Sequence, residues 1–241
     1  MVSPRAREDR MRPRLSSSCY GRRRNFTVRP RDRAVTSRVG RLDADPSNGY
    51  EAGAREFIAT RRDSQVGVQA VLAWAQCLPP CARILDLGCG FGMPISAALM
   101  NAGKVIYGVE ASATLCAAFR ASFPDARLAC ESVEESSFFG RTFEGVLAWG
   151  LMFLLSRDAQ LELIRRMGAV LEPGGRLLFT APAQPCSWID VLTGRKSQSL
   201  GEVTYKATLE AAGLVLAPGY SDEGENYYYH AIKPARTVAG V

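Results

Sequence analysis

Apolar residues first recur with a helical period between Asn48 and Leu78. Tyr50, Ala54, Phe57 and Ile58 share one face of a short helix that Asn48 is placed to cap. Gly67, Val71, Trp74 and Leu78 share a face of a second helix, which follows Asp63 and Ser64 and stops at Pro79-Pro80. Beyond the prolines the pattern alternates. Strand-like runs at 83–87, 105–109, 127–129, 143–148 and 176–181 are separated by helix-period segments. These lie at 95–101, at 112–122, and after Ser156, where Leu161, Ile164, Met167, Gly168 and Leu171 line one face. The stretch 182–200, rich in Pro and polar residues, reads as a loop. A helix at 202–212 ends at Gly213, and strands at 214–217 and 227–232 follow. About nine residues join those two strands, too few for a crossover helix, so they are expected to lie antiparallel. Strands alternating with helices predict an α/β fold whose mostly parallel sheet is covered on both faces.

Charge divides the chain. Residues 1–45 hold 13 Arg and five acids and show no apolar period, which predicts a disordered extension. Three readings of that extension compete: a nucleic-acid or membrane-contacting arm, an organelle transit peptide, or an incidental extension. The other 196 residues carry 17 basic and 19 acidic groups, a mildly acidic body that argues against tracking a phosphate backbone. Residues 46–235 are expected to form one folded domain, with its cofactor-binding part at 82–182. No run approaches the roughly 20 apolar residues needed to span a bilayer. The seven Cys have irregular spacing, and Cys77 and Cys81 lack a second pair to complete a metal site, so no metal is expected. Reduced thiols in a cytoplasmic protein are the expectation, with no obligate protein partner.

The segment Ile84-Leu85-Asp86-Leu87-Gly88-Cys89-Gly90-Phe91-Gly92 is a strand, an acid, a G-x-G-x-G turn and the start of a helix. Glycines let a ligand lie against backbone, and the helix beyond offers free N–H groups. Glycine spacing alone also fits dinucleotide sites. Asp86 sits two residues before the first glycine, where a carboxylate repels a pyrophosphate and attracts an ammonium. Glu110 closes the next strand, 24 residues later, where a carboxylate can accept both hydroxyls of a ribose.

On these residues the chain resembles the class I S-adenosylmethionine-dependent methyltransferases, over about residues 48–232. Asp86 to Gly92 is similar to that family's first motif, and Tyr107-Gly108-Val109-Glu110-Ala111-Ser112 to its second, with Glu where Asp is more usual. Phe143 to Gly150 stands at the fourth strand, and Leu171-Glu172-Pro173-Gly174-Gly175 at the turn into the fifth. The resemblance implies a Rossmann-like, doubly wound, seven-stranded sheet with an antiparallel last strand. It implies S-adenosyl-L-methionine as cofactor. Gly88, Cys89, Gly90 and Gly92 would let its methionine part approach, and Asp86 would face its amino group. Glu110 with Ala111 would hold the ribose, Ser132 and Val133 the adenine (with Glu131 or Glu134 as substitute acids), and Trp149 and Gly150 would line the sulfonium. Tyr50 and Arg61 would fold over the cofactor, Arg61 as a candidate for the methionine carboxylate.

Ligands of open parallel sheets bind beyond the carboxyl ends of the strands. That places the substrate wall in segments 149–155, 182–200 and 221–226, with Phe153, Trp188, Asp222 and Tyr227 as candidate substrate contacts. Carboxylates beside aromatic rings at 222–229 point to an amine acceptor. His230, the one imidazole, and Asp190 and Glu225 are the candidate bases, although methyl transfer need not have one. A small-molecule acceptor is the leading expectation. The alternatives are a protein or RNA methyltransferase that uses the basic extension for substrate contact, and a cofactor-binding or dehydrogenase protein. The embedded Asp86 and the glycine spacing count against the dehydrogenase.

Overall fold

The computed structural model describes residues 45–235. The Arg-rich extension therefore lies, but for Asp45, outside the described residues. The central strand is β1 (Arg83–Leu87), flanked in parallel by β2 (Val105–Glu110) and β4 (Phe143–Ala148). Outside these run β3 (Arg127–Cys130) and β5 (Leu171–Thr180), also parallel. Beyond β5 the sheet continues with β10 (Tyr227–Ile232), antiparallel to it, and β8 (Val215–Leu216). The order is β3-β2-β1-β4-β5-β10-β8, and a two-residue strand, β9 (Tyr220–Ser221), also pairs with β10. The sheet thus has the expected seven-strand path plus one short strand that the sequence pattern does not mark.

Strand parity assigns the core. Leu85, Leu87, Tyr107, Val109, Val146 and Phe179 face one side, against α5 (Arg157–Val170) and α6 (Glu202–Ala211). Ile84, Ile106, Leu147 and Leu178 face the other, against α2 (Val68–Gln76) and α3 (Ile95–Asn101). Both faces being covered, the strands read as continuous apolar runs. Trp74 lies against mid-strand Gly145, where a Cβ would approach its ring at 3.0 Å. Ser112 and Ser156 cap α4 (Ala113–Ser122) and α5 by accepting the Leu115 and Ala159 amides.

Three local expectations are corrected. First, Asn48 does not cap α1 (Tyr50–Arg61). It stands at φ 52° ahead of Gly49. The capping work falls to Asp45, which accepts the Ser47 and Gly49 amides, and to Ser47, whose hydroxyl accepts the Glu51 amide. Second, β5 begins at Leu171, because Pro173-Gly174-Gly175 loops out as a bulge instead of ending the helix. Third, the expected loop at 182–200 contains a hairpin, β6 (Cys186–Ile189) with β7 (Lys196–Ser199).

That hairpin is tied down by one buried side chain of α5. Gln160 Nε2 donates to Leu155 O at 3.0 Å and to Gln198 O at 3.1 Å, so it holds the segment after β4 and the hairpin together. Its Oε1 accepts the Tyr205 hydroxyl at 2.5 Å, and the same hydroxyl accepts the Leu200 amide. Tyr205→Phe strands both groups in the core, at a cost of about 1–3 kcal/mol. Thermal denaturation is expected to show a lower midpoint by about 2–4 °C for each kcal/mol; an unchanged midpoint would contradict the role given to this cluster.

Candidate active site

A cavity of about 250 Å³ opens beyond the carboxyl ends of β1, β2 and β4. Its floor is the glycine turn, which follows β1. The Gly88 and Cys89 amides both donate to Val109 O, so the turn is pinned to β2. Gly90 holds φ 58°, and a Cβ there would lie 3.3 Å from the Phe57 ring. Only glycine suits that combination of left-handed backbone and overhead packing.

Two carboxylates stand on this floor. Asp86 points to the α3 side of the sheet and accepts the Ser96 hydroxyl at 2.6 Å. Burial pushes its pKa up to about 7, the Ser96 bond opposes the shift, and nearby Glu110 adds to it. Glu110 accepts the Gly90 and Ser112 amides, each at 2.8 Å. Burial raises its pKa, while the amides of Ser112, Gly90 and Ala111 pull the other way. Cys89, also in the turn, is held well above the usual thiol range by burial and by both carboxylates.

The roof is α1. Its Phe57 packs edge-on against Phe91 and against Tyr50. Glu51 fastens the helix to α4 by accepting from the Ser112 hydroxyl and from the Thr114 amide and hydroxyl. The hairpin holds the other side, with Leu192 over Gly53 and an Arg195–Asp45 ion pair at 3.1 Å. The Arg61 guanidinium lies 4.5 Å from the Trp149 ring centre. Burial lowers the Arg61 pKa. Trp149 donates to the Tyr228 hydroxyl at 2.8 Å, and that hydroxyl donates to Asp222 at 2.7 Å. Tyr50 also faces the cavity; burial, with Asp190 and Glu110 nearby, pushes its phenol up to about 12.

The cavity brings together Asp86, Gly88, Cys89, Gly90, Glu110, Ala111, Val133, Trp149, Gly150 and Phe153. Gly92 stands behind the turn, facing Phe119 and Phe123. Ser132 is buried, and its hydroxyl accepts the Glu135 amide. The remaining candidates lie off the cavity. Asp190 closes the hairpin turn by accepting the Leu192 and Thr193 amides. Asp222 is surrounded by donors from Gly224, Asn226 and Tyr228; burial raises its pKa, but these bonds outweigh burial and leave it lowered. Glu225 is exposed at φ 60°. Tyr227 donates to Glu202 on α6. Trp188 packs against Phe153 with its ring tilted to it and ring centres 5.4 Å apart. His230 sits 3.4 Å from Arg176, and burial, then that cation, lowers its pKa. Sequence reasoning missed Pro46 and Ser47, and it gave Asn48 the wrong task; the Asp45-Pro46-Ser47 turn is the signal that places them at the cavity rim.

Among the described residues no helix is long and apolar enough to cross a membrane, and no group of three or more His, Cys, Asp or Glu is arranged to hold a metal ion.

The Asp86 shift has a measurable consequence. A raised carboxylate pKa means that the native state binds the proton more tightly than the unfolded chain, whose value is 3.8. The associated stability is complete below about pH 4 and is lost as pH rises through about 7. Without ligand, the melting temperature of Asp86→Asn minus that of the wild type is expected to grow from pH 4 to pH 8. A difference that stays flat across that window would refute the shift.

Residues 84–175 match the family model described as a methyltransferase domain. No curated protein matches the chain. Solved structures share the fold at low identity. A TehB-like S-adenosylmethionine-dependent methyltransferase from Corynebacterium glutamicum is 18% identical with TM-score 0.58, over 78% of this chain and 97% of that one. The 1,6-didemethyltoxoflavin N1-methyltransferase of Burkholderia thailandensis is 19% identical with TM-score 0.60, over 85% and 94%. The CcbJ methyltransferase of Streptomyces caelestis is 15% identical with TM-score 0.60, over 79% and 98%. At these identities the structures speak for the fold, and the family match speaks for the domain. A methyltransferase domain at residues 84–175, built on this sheet with an acid set into its glycine turn, marks the chain as a methyltransferase enzyme similar to the class I S-adenosylmethionine-dependent methyltransferases.

Proposed function

We propose that the chain transfers a methyl group from S-adenosylmethionine to a small molecule. The observation that carries this reading is the charge pattern of the cavity. Asp86 is a buried carboxylate and Arg61 a half-buried guanidinium, and among the described residues neither forms an ion pair. Such groups are costly unless a ligand completes them. A zwitterionic amino-acid moiety does so at both ends.

The remaining residues fit the rest of the cofactor. Glu110, fixed by two amides, keeps lone pairs for a ribose diol. Val109, Leu115 and Val133 form an apolar slot suited to adenine. Trp149 and Gly150 line the cavity and would face the sulfonium. The cofactor, when bound, supplies the activated methyl group. The protein orients, encloses and desolvates: α1 covers the cavity, and the Trp149–Tyr228–Asp222 chain of hydrogen bonds fixes the indole on which Arg61 rests.

Didemethyltoxoflavin methyltransferase, among the structural neighbours, was solved with its small-molecule substrate, which supports a small acceptor here. The expectation of an amine rests on the acids at 222–225, which the structure leaves outside the cavity lining. A protein or RNA acceptor rests on the Arg-rich extension alone. Removing residues 1–44 tests it: a small-molecule enzyme keeps its turnover and acceptor range.

Calorimetric titration with S-adenosylmethionine is expected to give micromolar binding, weakened at least about tenfold, or ~1.4 kcal/mol, in Asp86→Ala and in Glu110→Ala. Affinity is expected to rise with pH up to about 7, as Asp86 gives up its proton, and to fall above about 8, as a free α-amino group loses its charge. Asp86→Asn is expected to lose the rising limb. A wild type that does not bind would sink the proposal.

A further inference from the structure

The chemistry of the cavity narrows the choice of acceptor, an inference that rests on the methyltransferase reading. The chain leaving β4 lines the cavity, and in the proposed binding mode it faces the acceptor. Its lining side chains are Trp149, Leu151, Phe153, Leu154 and Leu155. Phe153 lines the cavity and packs on Trp188, which does not, with the two rings tilted by 49°, so the lining ring is held by a second aromatic.

The acids expected to greet a cation there lie off the cavity lining, Glu225 exposed and the others engaged elsewhere. Asp190 holds the hairpin turn, Asp222 holds its own loop, and Glu223 accepts the Gly67 amide ahead of α2. A cationic acceptor would enter there without a carboxylate partner, which is costly in a desolvated site.

Proton acceptors are equally scarce. The titratable side chains on the cavity wall are Tyr50, Arg61, Asp86, Cys89, Glu110 and Glu134. Arg61 is a cation, and Tyr50 and Cys89 hold their protons far above neutrality. Asp86 and Glu110 stand at the ends of β1 and β2 beside the glycine turn, where the cofactor is proposed to lie, and Glu134 follows Val133 on the proposed adenine side. An aliphatic alcohol needs a base to become a nucleophile. An acidic phenol or enol ionises without one, and a ring nitrogen already offers a lone pair. The roof adds a complementary donor: the Asn48 carboxamide lines the cavity, and its Nδ2 is buried with no hydrogen-bond partner among the described residues.

We infer that the acceptor is a flat, uncharged or weakly acidic ring compound, an acidic phenol or enol or a nitrogen heterocycle, stacked on Phe153 as the specificity-determining residue. The acceptor's lone pair forms the new bond to the methyl carbon as the carbon–sulfur bond breaks toward sulfur, leaving S-adenosylhomocysteine. A phenol or enol has already lost its proton to water. A ring N–H loses its proton to water after transfer.

The test uses the full chain with S-adenosylmethionine and follows S-adenosylhomocysteine release. The acceptors are substituted phenols, enolic ring compounds and nitrogen heterocycles of graded acidity, set against primary alkylamines and aliphatic alcohols. Turnover is expected with the ring compounds alone. In the phenol series, the midpoint of the kcat/KM–pH profile is expected to move with each acceptor's own pKa. Phe153→Ala is expected to raise the ring acceptor's KM about tenfold or more while the cofactor Kd stays within about twofold, and Phe153→Tyr to restore it. Preferred turnover of alkylamines or alcohols overturns the inference, as does a pH midpoint that is the same for every phenol. So does an acceptor KM unmoved by Phe153→Ala, or cofactor binding with no ring compound methylated. A wild type that fails to bind the cofactor removes the proposed function itself, a result told apart by the calorimetry alone.

Discussion

The Glu110 carboxylate organises the site before any ligand arrives. One oxygen takes the Gly90 amide and the other takes the Ser112 amide, so a single side chain joins the glycine turn to the start of α4. Both bonds are short, buried and charge-assisted, the strong kind in a low-dielectric setting. Val109 O completes the link by accepting the Gly88 and Cys89 amides. Without this link the turn would have to find other partners for its amides, and the cavity floor would lose its shape. The residue proposed to receive a ribose therefore also builds the loop beneath it.

A second layer of order comes from neutral polar groups in the core. Gln160 and Tyr205 fix the post-β4 segment and the β6–β7 hairpin relative to each other, from the far side of the sheet end. The hairpin then reaches α1 through Leu192 and Arg195. Floor, wall and roof are linked through side chains whose partners are mostly backbone groups. Such bonds are directional and fail as a set when one member is removed.

The sequence makes the sheet legible where both faces are buried. The strands at 83–87 and 143–148 fall within the observed bounds because continuous apolar runs beside glycine turns admit few other structures. The hairpin was hidden because Cys186-Ser187-Trp188-Ile189 and Lys196-Ser197-Gln198-Ser199 lack an apolar alternation, and their pairing depends on Gln160 from a distant helix. The start of β5 was hidden by the Pro173-Gly174-Gly175 bulge, which carries the composition of a terminator. On the cavity floor, Asp86, Glu110 and the glycines were readable, since their spacing is local. The acids at 222–225 show the opposite case: their density is visible in the sequence, but their commitment to Gly224, Asn226, Tyr228 and Gly67 is not.

The roof helix is thinly attached. Of its twelve residues only Ala54 is fully buried, and beside the small apolar contact that Phe57 makes with Phe91 it is held by the polar ties of Glu51 to α4. Local opening costs least where little apolar area is released. Among the six helices of the described residues, α1 is therefore the one whose backbone amides exchange with solvent most readily while the sheet stays intact. The segment that covers the cavity is therefore the part of the domain that opens at least cost to the sheet.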